Sequence, residues 1–112
     1  MSTNNPSAER SAPASDLDEV AAAFLAGRYE VTARVRRHIR RKGWTREQLE
    51  TCVVGLVASD FHKSQQHLER EDVWLDIYRP WIAGTRRYVK FVWDAEVEAF
   101  VVLSFCIDGE AH

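Results

Sequence analysis

The chain has 112 residues, of which 46% are hydrophobic and 29% are charged, and its formal net charge at pH 7 is −2. This length fits one domain with a core of its own, and the balance of residue types is that of a globular protein. No apolar run approaches membrane-spanning length, so we expect a cytoplasmic protein with no membrane partner. Two cysteines, Cys52 and Cys106, are too few for a disulfide framework or a zinc site, and we expect both thiols to be free.

The first 15 residues are polar and contain Ser, Ala and Pro but almost no large apolar side chain. Such a segment cannot bury enough apolar surface to offset the entropy of ordering. We therefore expect residues 1–15 to be a disordered tail and residues 16–112 to form a single domain.

Three helices are expected after this tail. Apolar residues recur at helical spacing over residues 17–25 and again over 31–42, and Gly43 can end the second helix. The third helix has the clearest start, because Thr45 and Gln48 have the spacing of a capping box. The sequence therefore predicts an all-helical first half.

The second half has the two-residue alternation of strands. Four segments show it or are apolar enough to be strands: 59–66, 72–79, 87–93 and 99–105. The last is the most apolar and is expected to be central. Helices followed by an antiparallel meander predict an α+β fold, in which N-terminal helices pack on a small antiparallel sheet.

The basic residues are unevenly distributed. Eight of the 15 Lys and Arg residues lie between Arg28 and Arg46, a stretch with one acid, Glu30. On the predicted helix, one flank holds Arg34, Arg37 and Arg41, and another holds Arg36 and Arg40. Two interpretations stay open: a binding surface for a polyanion, or an ordinary solvated helix face.

A second set of basic residues is expected on the sheet. Alternation places Tyr88 and Lys90 on one face, and Lys63 and Arg79 lie on strands expected to be neighbours. Lys and Arg can stabilise charge on a phosphorane, while Tyr donates a hydrogen bond or acts as acid or base. The alternative is a sheet surface without chemistry, since exposed Lys and Tyr are common.

The histidines and potential metal ligands give weaker signals. His62 and His67 flank Lys63 and are candidates for general acid or base, although a surface histidine is usually inert. No His or Cys pair has the spacing of a metal site, so we expect neither a metal nor a cofactor.

Specific motifs accompany these residues. The segments GLVASDFHKS (55–64), WLDIYRP (74–80), RYVK (87–90) and VVLSF (101–105) resemble, in this order, the motility and quorum-sensing regulator (MqsR) toxin family. The similarity extends from about Asp16 to Phe105. It implies a RelE-like toxin fold and a toxin–antitoxin toxin that inhibits growth as an mRNA interferase. The implied activity is that of a ribosome-independent and metal-independent endoribonuclease, in which a ribose 2′-hydroxyl attacks the adjacent phosphate.

The resemblance also implies partners. These are single-stranded mRNA and a cognate antitoxin from the adjacent gene. Antitoxins of this family commonly contain a helix-turn-helix DNA-binding part. The complex would therefore contact operator DNA only through the antitoxin.

Two family site residues match and two do not. The catalytic lysine and tyrosine fall on Lys63 and Tyr88, whereas an expected glutamine is Leu75 and an expected lysine is Cys106. Arg79, Arg86, Arg87 or Lys90 could replace the missing cation. The side chains expected to bind RNA are Arg79, Arg87, Lys90 and His62.

The departures leave an alternative function open, that of a catalytically weakened RNA-binding or antitoxin-binding protein in a regulatory complex. A third possibility, compatible with both, is pairing of another chain with an exposed sheet edge near residues 60–66.

Overall fold

Three capped helices make up most of the first half of the chain in the computed structural model, which describes residues 8–110. They are α1 (Leu17–Leu25), α2 (Ala33–Lys42) and α3 (Arg46–Val54). At each N-terminus a side-chain oxygen of Asp16, Thr32 or Thr45 accepts the backbone N–H three residues on. The predicted capping box is present at α3, and the three predicted helices are confirmed.

Within residues 8–110, seven strands form the sheet. They are β1 (Glu9–Arg10), β2 (Tyr29–Val31), β3 (Phe61–Gln66), β4 (Trp74–Tyr78), β5 (Trp81–Ile82), β6 (Thr85–Asp94) and β7 (Ala99–Ile107). Their order is β1-β3-β4-β6-β7-β2, with β5 paired to β6 at one end. All pairs are antiparallel except β2 with β7. The predicted α+β class and the four-strand meander, here β3, β4, β6 and β7, are confirmed.

The sequence did not predict β2, which lies where the second helix was expected to start. Tyr29 and Val31 are buried on either side of exposed Glu30, and the strand pairs in parallel with β7. Three residues are too short for a two-residue period to stand out from a helical one. The helix itself starts at Ala33, after its cap Thr32.

The N-terminal segment differs from the expected disordered tail. Residues 1–7 lie outside the described part of the chain, but β1 pairs with β3, placing Glu9 opposite Gln65 and Arg10 opposite Ser64. The carboxylate of buried Asp76 then accepts the backbone N–H groups of Ala14 and Ser15 at 2.8 and 2.9 Å. The acceptor of these hydrogen bonds lies on the sheet. The bonds therefore offset the entropy cost of ordering the N-terminal segment, a contribution that its composition alone does not indicate.

The presence of β1 also corrects the expectation that the sheet edge near residues 60–66 is exposed. β1 covers β3 at Ser64 and Gln65.

The core lies between one face of the sheet and the helices. Its largest fully buried members include Tyr78, Phe24, Phe91, Phe105 and Leu49. Within residues 8–110 no helix is long and apolar enough to cross a membrane.

Candidate active site on the open face of the sheet

Register places two lysines in one row across the four meander strands. Lys63 is opposite Ile77, Ile77 is opposite Lys90, and Lys90 is opposite Ser104. Residues directly opposite one another lie on the same face of a sheet. Ile77 is 0% exposed, so the two lysines lie on either side of a fully buried apolar residue.

This row belongs to the face of the sheet opposite the main core, which we call the open face. Tyr88 and Cys106 are opposite each other one step away from Lys90 and Ser104. By alternation the open face comprises Lys63, Gln65, Leu75, Ile77, Arg79, Tyr88, Lys90, Ser104 and Cys106. The predicted grouping of Lys63, Arg79, Tyr88 and Lys90 is therefore present.

A bulge in β3 explains the position of His62. Phe61 is opposite Tyr78 and Lys63 is opposite the adjacent residue, Ile77, so His62 is the extra residue. Burial and the nearby charges of Arg79 and Lys63 lower the pKa of His62 below its ordinary value of 6.5. The imidazole is therefore neutral at pH 7 and can accept a proton.

His67, the other candidate histidine, has a local role. Its Nδ1 accepts the backbone N–H groups of Glu69 and Arg70 at 3.0 and 3.2 Å. The imidazole therefore supports the turn after β3.

Lys63 has a partner that the sequence patterns did not indicate. Its Nζ donates to Glu9 Oε2 at 2.6 Å across the β1–β3 pair. Hydrogen bonding to Lys63, and to a lesser extent to Gln65, lowers the pKa of the Glu9 carboxyl. Both side chains of the ion pair are partly exposed to solvent, so the pair positions Lys63 but adds little stability.

Arg79 is fixed at the end of β4. Its Nη2 and Nε donate to Asp108 Oδ2 at 2.7 and 3.1 Å, and its carbonyl oxygen accepts from Arg86 Nε at 3.0 Å. Arg86 also lies over the Trp81 ring. The guanidinium of Arg79 is thus held beside His62 and Tyr88, whose pKa values its charge lowers.

A groove of about 620 Å³ opens beside Tyr88 and Lys90. One wall is the N-terminal part of α2, where Arg34 lines the groove, and another is the turn after β7 with Asp108 and Glu110. Burial, then the charges of Arg34 and Lys63, lower the pKa of Lys90 from 10.5. This clustering of cations disfavours further positive charge and favours an anionic ligand.

Tyr88 remains protonated at neutral pH. Burial is the largest cause that raises the pKa of its hydroxyl above 10.0, and Lys63 and Arg79 act in the opposite direction. A neutral phenol can donate a hydrogen bond or a proton. Across residues 8–110, no group of three or more His, Cys, Asp or Glu side chains is arranged to hold a metal ion.

A comparison with known protein families bears on this cluster of side chains. The family model described as motility quorum-sensing regulator, toxin of MqsA, matches residues 12–106 of the chain. The chain belongs to this toxin family. A search of curated proteins finds no match to it. The family match covers every residue of the open face, and it makes the chain a member of a family of toxin–antitoxin toxins.

Position 75, where the MqsR resemblance implies glutamine, is Leu75 on the open face. The residue directly opposite Leu75 is Gln65 on β3, whose side chain ends in a carboxamide. Opposite Cβ atoms lie about 5 Å apart, so Gln65 presents an amide to the same part of the face. Gln65 is identified only by the register of β3 with β4, because no local sequence pattern indicates it.

Position 106, where the resemblance implies lysine, is a buried cysteine. The Cys106 thiol lies 3.5 Å from the carbonyl oxygen of Glu110, and burial raises its pKa above 9.0. The thiol is therefore neutral at pH 7, and the positive charge beside it comes from Arg34 and Lys90 in the same groove.

Arg87, a residue that the sequence predicts to bind RNA, does not lie on the open face with Tyr88 and Lys90. Its guanidinium lies 4.1 Å from the centre of the Trp44 ring, and it lines a separate hollow of about 630 Å³ with Cys52 and Trp81. The reason is alternation, since Arg87 has the parity of buried Val89. The same alternation that selects Tyr88 therefore already indicated this position.

Proposed function

We propose that this MqsR-family protein is an mRNA interferase, a toxin that inhibits growth by cutting single-stranded mRNA in the cytoplasm. One observation supports this most directly: Lys63, Lys90 and Tyr88 share one face of the sheet, and Lys90 and Tyr88 line a groove together with Arg34. A phosphodiester is the ligand that such a set suits best.

The proposed reaction is attack of a ribose 2′-oxygen on the adjacent phosphorus, with breakage of the bond from phosphorus to the 5′-oxygen. The products are a 2′,3′-cyclic phosphate and a 5′-hydroxyl. The neutral imidazole of His62 takes the proton from the 2′-hydroxyl, and the Tyr88 hydroxyl gives a proton to the departing 5′-oxygen. The imidazolium of His62 then releases its proton to solvent and the Tyr88 phenolate takes one from solvent, so both groups return to their starting states.

Cations would stabilise the charge that develops on the phosphorane. Lys63 is the catalytic cation, and Glu9 holds its ammonium group in place until a phosphate competes for it. Lys90 and Arg79 bind the flanking phosphate oxygens as fixed charges. No step of this scheme uses a metal.

The proposed partner in the cell is a cognate antitoxin from the adjacent gene, with a helix-turn-helix part that binds operator DNA. Expression of the chain alone is expected to stop growth, and co-expression of the neighbouring gene is expected to restore it. Growth that is unaffected by the chain would argue against a toxin.

The decisive experiment is end mapping on labelled single-stranded RNA with purified protein. We expect discrete cuts that leave 2′,3′-cyclic phosphate ends, and loss of about 100-fold or more in rate for Lys63→Ala and for Tyr88→Phe. Arg28→Ala, which removes an exposed cation elsewhere, is the matched control. Cleavage by Lys63→Ala at the wild-type rate would contradict the assignment.

A second candidate is an RNA-binding or antitoxin-binding protein with weak or no cleavage. The neutral, buried Cys106 in place of a cation is the observation that favours it. RNA that binds to the wild-type protein but is recovered intact after long incubation would support this candidate over the nuclease.

A further inference from the structure

The arginines of α2 extend the positive surface away from the sheet. Arg34, in the first turn, lines the groove that also contains Tyr88 and Lys90. Residues three and seven positions later, Arg37 and Arg41, lie on the same flank of the helix. We call these three residues the arginine flank, and we propose that it binds the backbone phosphates of the RNA strand next to the scissile nucleotide.

The charges of the groove support an anionic ligand. Its two carboxylates are already paired: Asp108 with Arg79 at 2.7 Å, and Glu110 with Lys42 at 2.9 Å. Arg34 and Lys90 have no acidic ion-pair partner among residues 8–110. The groove therefore has a surplus of positive charge where it meets α2.

The rest of the flank continues this surplus. Arg37 is exposed and likewise makes no ion pair within the described part of the chain. Arg41 is held at the edge of the groove, because its Nη2 lies 3.2 Å from His38 Nδ1 while His38 Nε2 faces Glu110. From Arg34 to Arg41 the helix rises about 10 Å, enough to reach more than one phosphate of a strand.

The opposite flank of the same helix provides a contrast. Arg36 donates to the carbonyl oxygen of Val31, and Arg40 lies beside a small hollow with Ile39 and Trp44. Neither residue lines the groove at Tyr88. Continuity with the proposed active site therefore distinguishes one flank from the other, although both are basic.

RNA is the occupant that this geometry favours. The flank begins in the groove where the scissile phosphate is proposed to bind. A strand that continues from the groove along α2 therefore stays beside cations that have no acidic partner among residues 8–110. This inference rests on the proposed function, which supplies the direction of the strand.

The test compares Arg37→Gln/Arg41→Gln, which leaves Arg34 in the groove, with Arg40→Gln/Arg28→Gln, a control with the same charge change away from the groove. The probe is a fluorescent single-stranded RNA of roughly 15 to 20 nucleotides, long enough to pass beyond the groove and over α2. A trinucleotide around the cleavage site serves as the short substrate. The 2′-O-methyl form of the long strand measures binding without cleavage.

We expect the flank variant to bind the long strand about 10-fold more weakly and the control to bind it nearly as wild type does. The slope of log affinity against log salt should fall by about 1.4, corresponding to two lost contacts with a single strand. In cleavage, KM for the long RNA should rise, while kcat/KM for the trinucleotide should change less than about 3-fold, because the short substrate does not reach Arg37 or Arg41.

Equal effects of both double variants, or an unchanged salt slope, would overturn the inference. A flank variant that binds RNA normally but no longer binds the antitoxin would also overturn it, in favour of a protein partner. If wild type binds the long strand through the flank but never cuts it, the nuclease proposal fails and this binding site stands.

Discussion

Replacing Asp76 with Asn tests how the N-terminal segment is attached to the sheet. Asp76 is 1% exposed, and its carboxylate accepts three hydrogen bonds. Oδ1 accepts from Ala14 N at 2.8 Å and from Ser64 Oγ at 2.9 Å, and Oδ2 accepts from Ser15 N at 2.9 Å. Asn has the same shape but offers one acceptor oxygen and one NH₂ group.

The expected cost follows from these contacts. The amide oxygen can take the place of Oδ1, but the NH₂ group then faces the Ser15 N–H, which loses its acceptor. A donor left without its partner costs about 1–3 kcal/mol, and the two remaining bonds lose the assistance of a charge. Because Ala14 is exposed and Ser15 half-buried, water restores part of this loss. We expect the free energy of unfolding to fall by about 2 kcal/mol.

Thermal and urea denaturation measure this change. A loss of about 2 kcal/mol corresponds to a fall in Tm of about 8–16 °C for a domain of this size. Asp72→Asn, at an exposed position just before β4, removes the same charge and is expected to leave Tm within about 2 °C.

Amide exchange at Ser15 should become faster in Asp76→Asn, because its N–H group loses its acceptor, and exchange at Ala14 should rise less, because its bond to the amide oxygen remains. Unchanged Tm with unchanged exchange at both amides would refute the role given to this carboxylate. Equal losses in Asp72→Asn would show that net charge, and not the buried hydrogen bonds, is responsible.

Three further predictions concern the site and one helix end. Gln65→Ala should reduce cleavage about 10-fold and Gln65→Ala/Leu75→Gln should recover most of it, as measured by initial rates; no recovery would mean that the two positions do not present an amide to the same place. The cleavage rate should rise with pH to a plateau reached near neutrality, because the lowered pKa of His62 keeps its imidazole neutral there. At higher pH the rate should fall again as Lys90, whose pKa is lowered from 10.5, loses its proton. His62→Gln should remove the rising limb and Lys90→Arg should move the falling limb to higher pH, whereas identical profiles would contradict these roles. Gly43 has φ +73° and a Cβ added there would meet nothing within 4 Å, so Gly43→Ala should cost about 1 kcal/mol of backbone strain in urea denaturation, and no loss would contradict that strain.

The features that the sequence predicted well are those with local causes. Thr45 and Gln48 cap α3 through contacts three residues apart, and alternation alone separates Tyr88 and Lys90 from Val89. Such signals are readable because each depends on neighbours within one turn or one strand. The three helices, the four-strand meander and the shared face of Tyr88 and Lys90 belong to this class.

The features that were missed have partners far along the chain. Glu9 reaches Lys63 because β1 pairs with β3, 54 residues away, and nothing in a polar N-terminal segment indicates that pairing. The bulge at His62 shifts one residue relative to Tyr78 and Ile77, and its cause is likewise the register with another strand. Arg87 is different, since the sequence alone shows that it has the parity of Val89 and not that of Tyr88.

Both departures from the family pattern have a counterpart in the tertiary structure. Leu75 lacks an amide, but Gln65 stands opposite it on the same face. Cys106 lacks a charge, but Arg34 extends from α2 into the groove that Cys106 lines. In each case the chemical group is present near the expected place and comes from a different element. A phosphate at the site interacts with side chains according to their position and charge, whatever their order in the chain. Loss of a motif residue therefore does not by itself mean loss of the function. The proposed nuclease therefore depends on whether Gln65 and Arg34 act from these new positions, and the Gln65 variants described above measure the first of these two dependences.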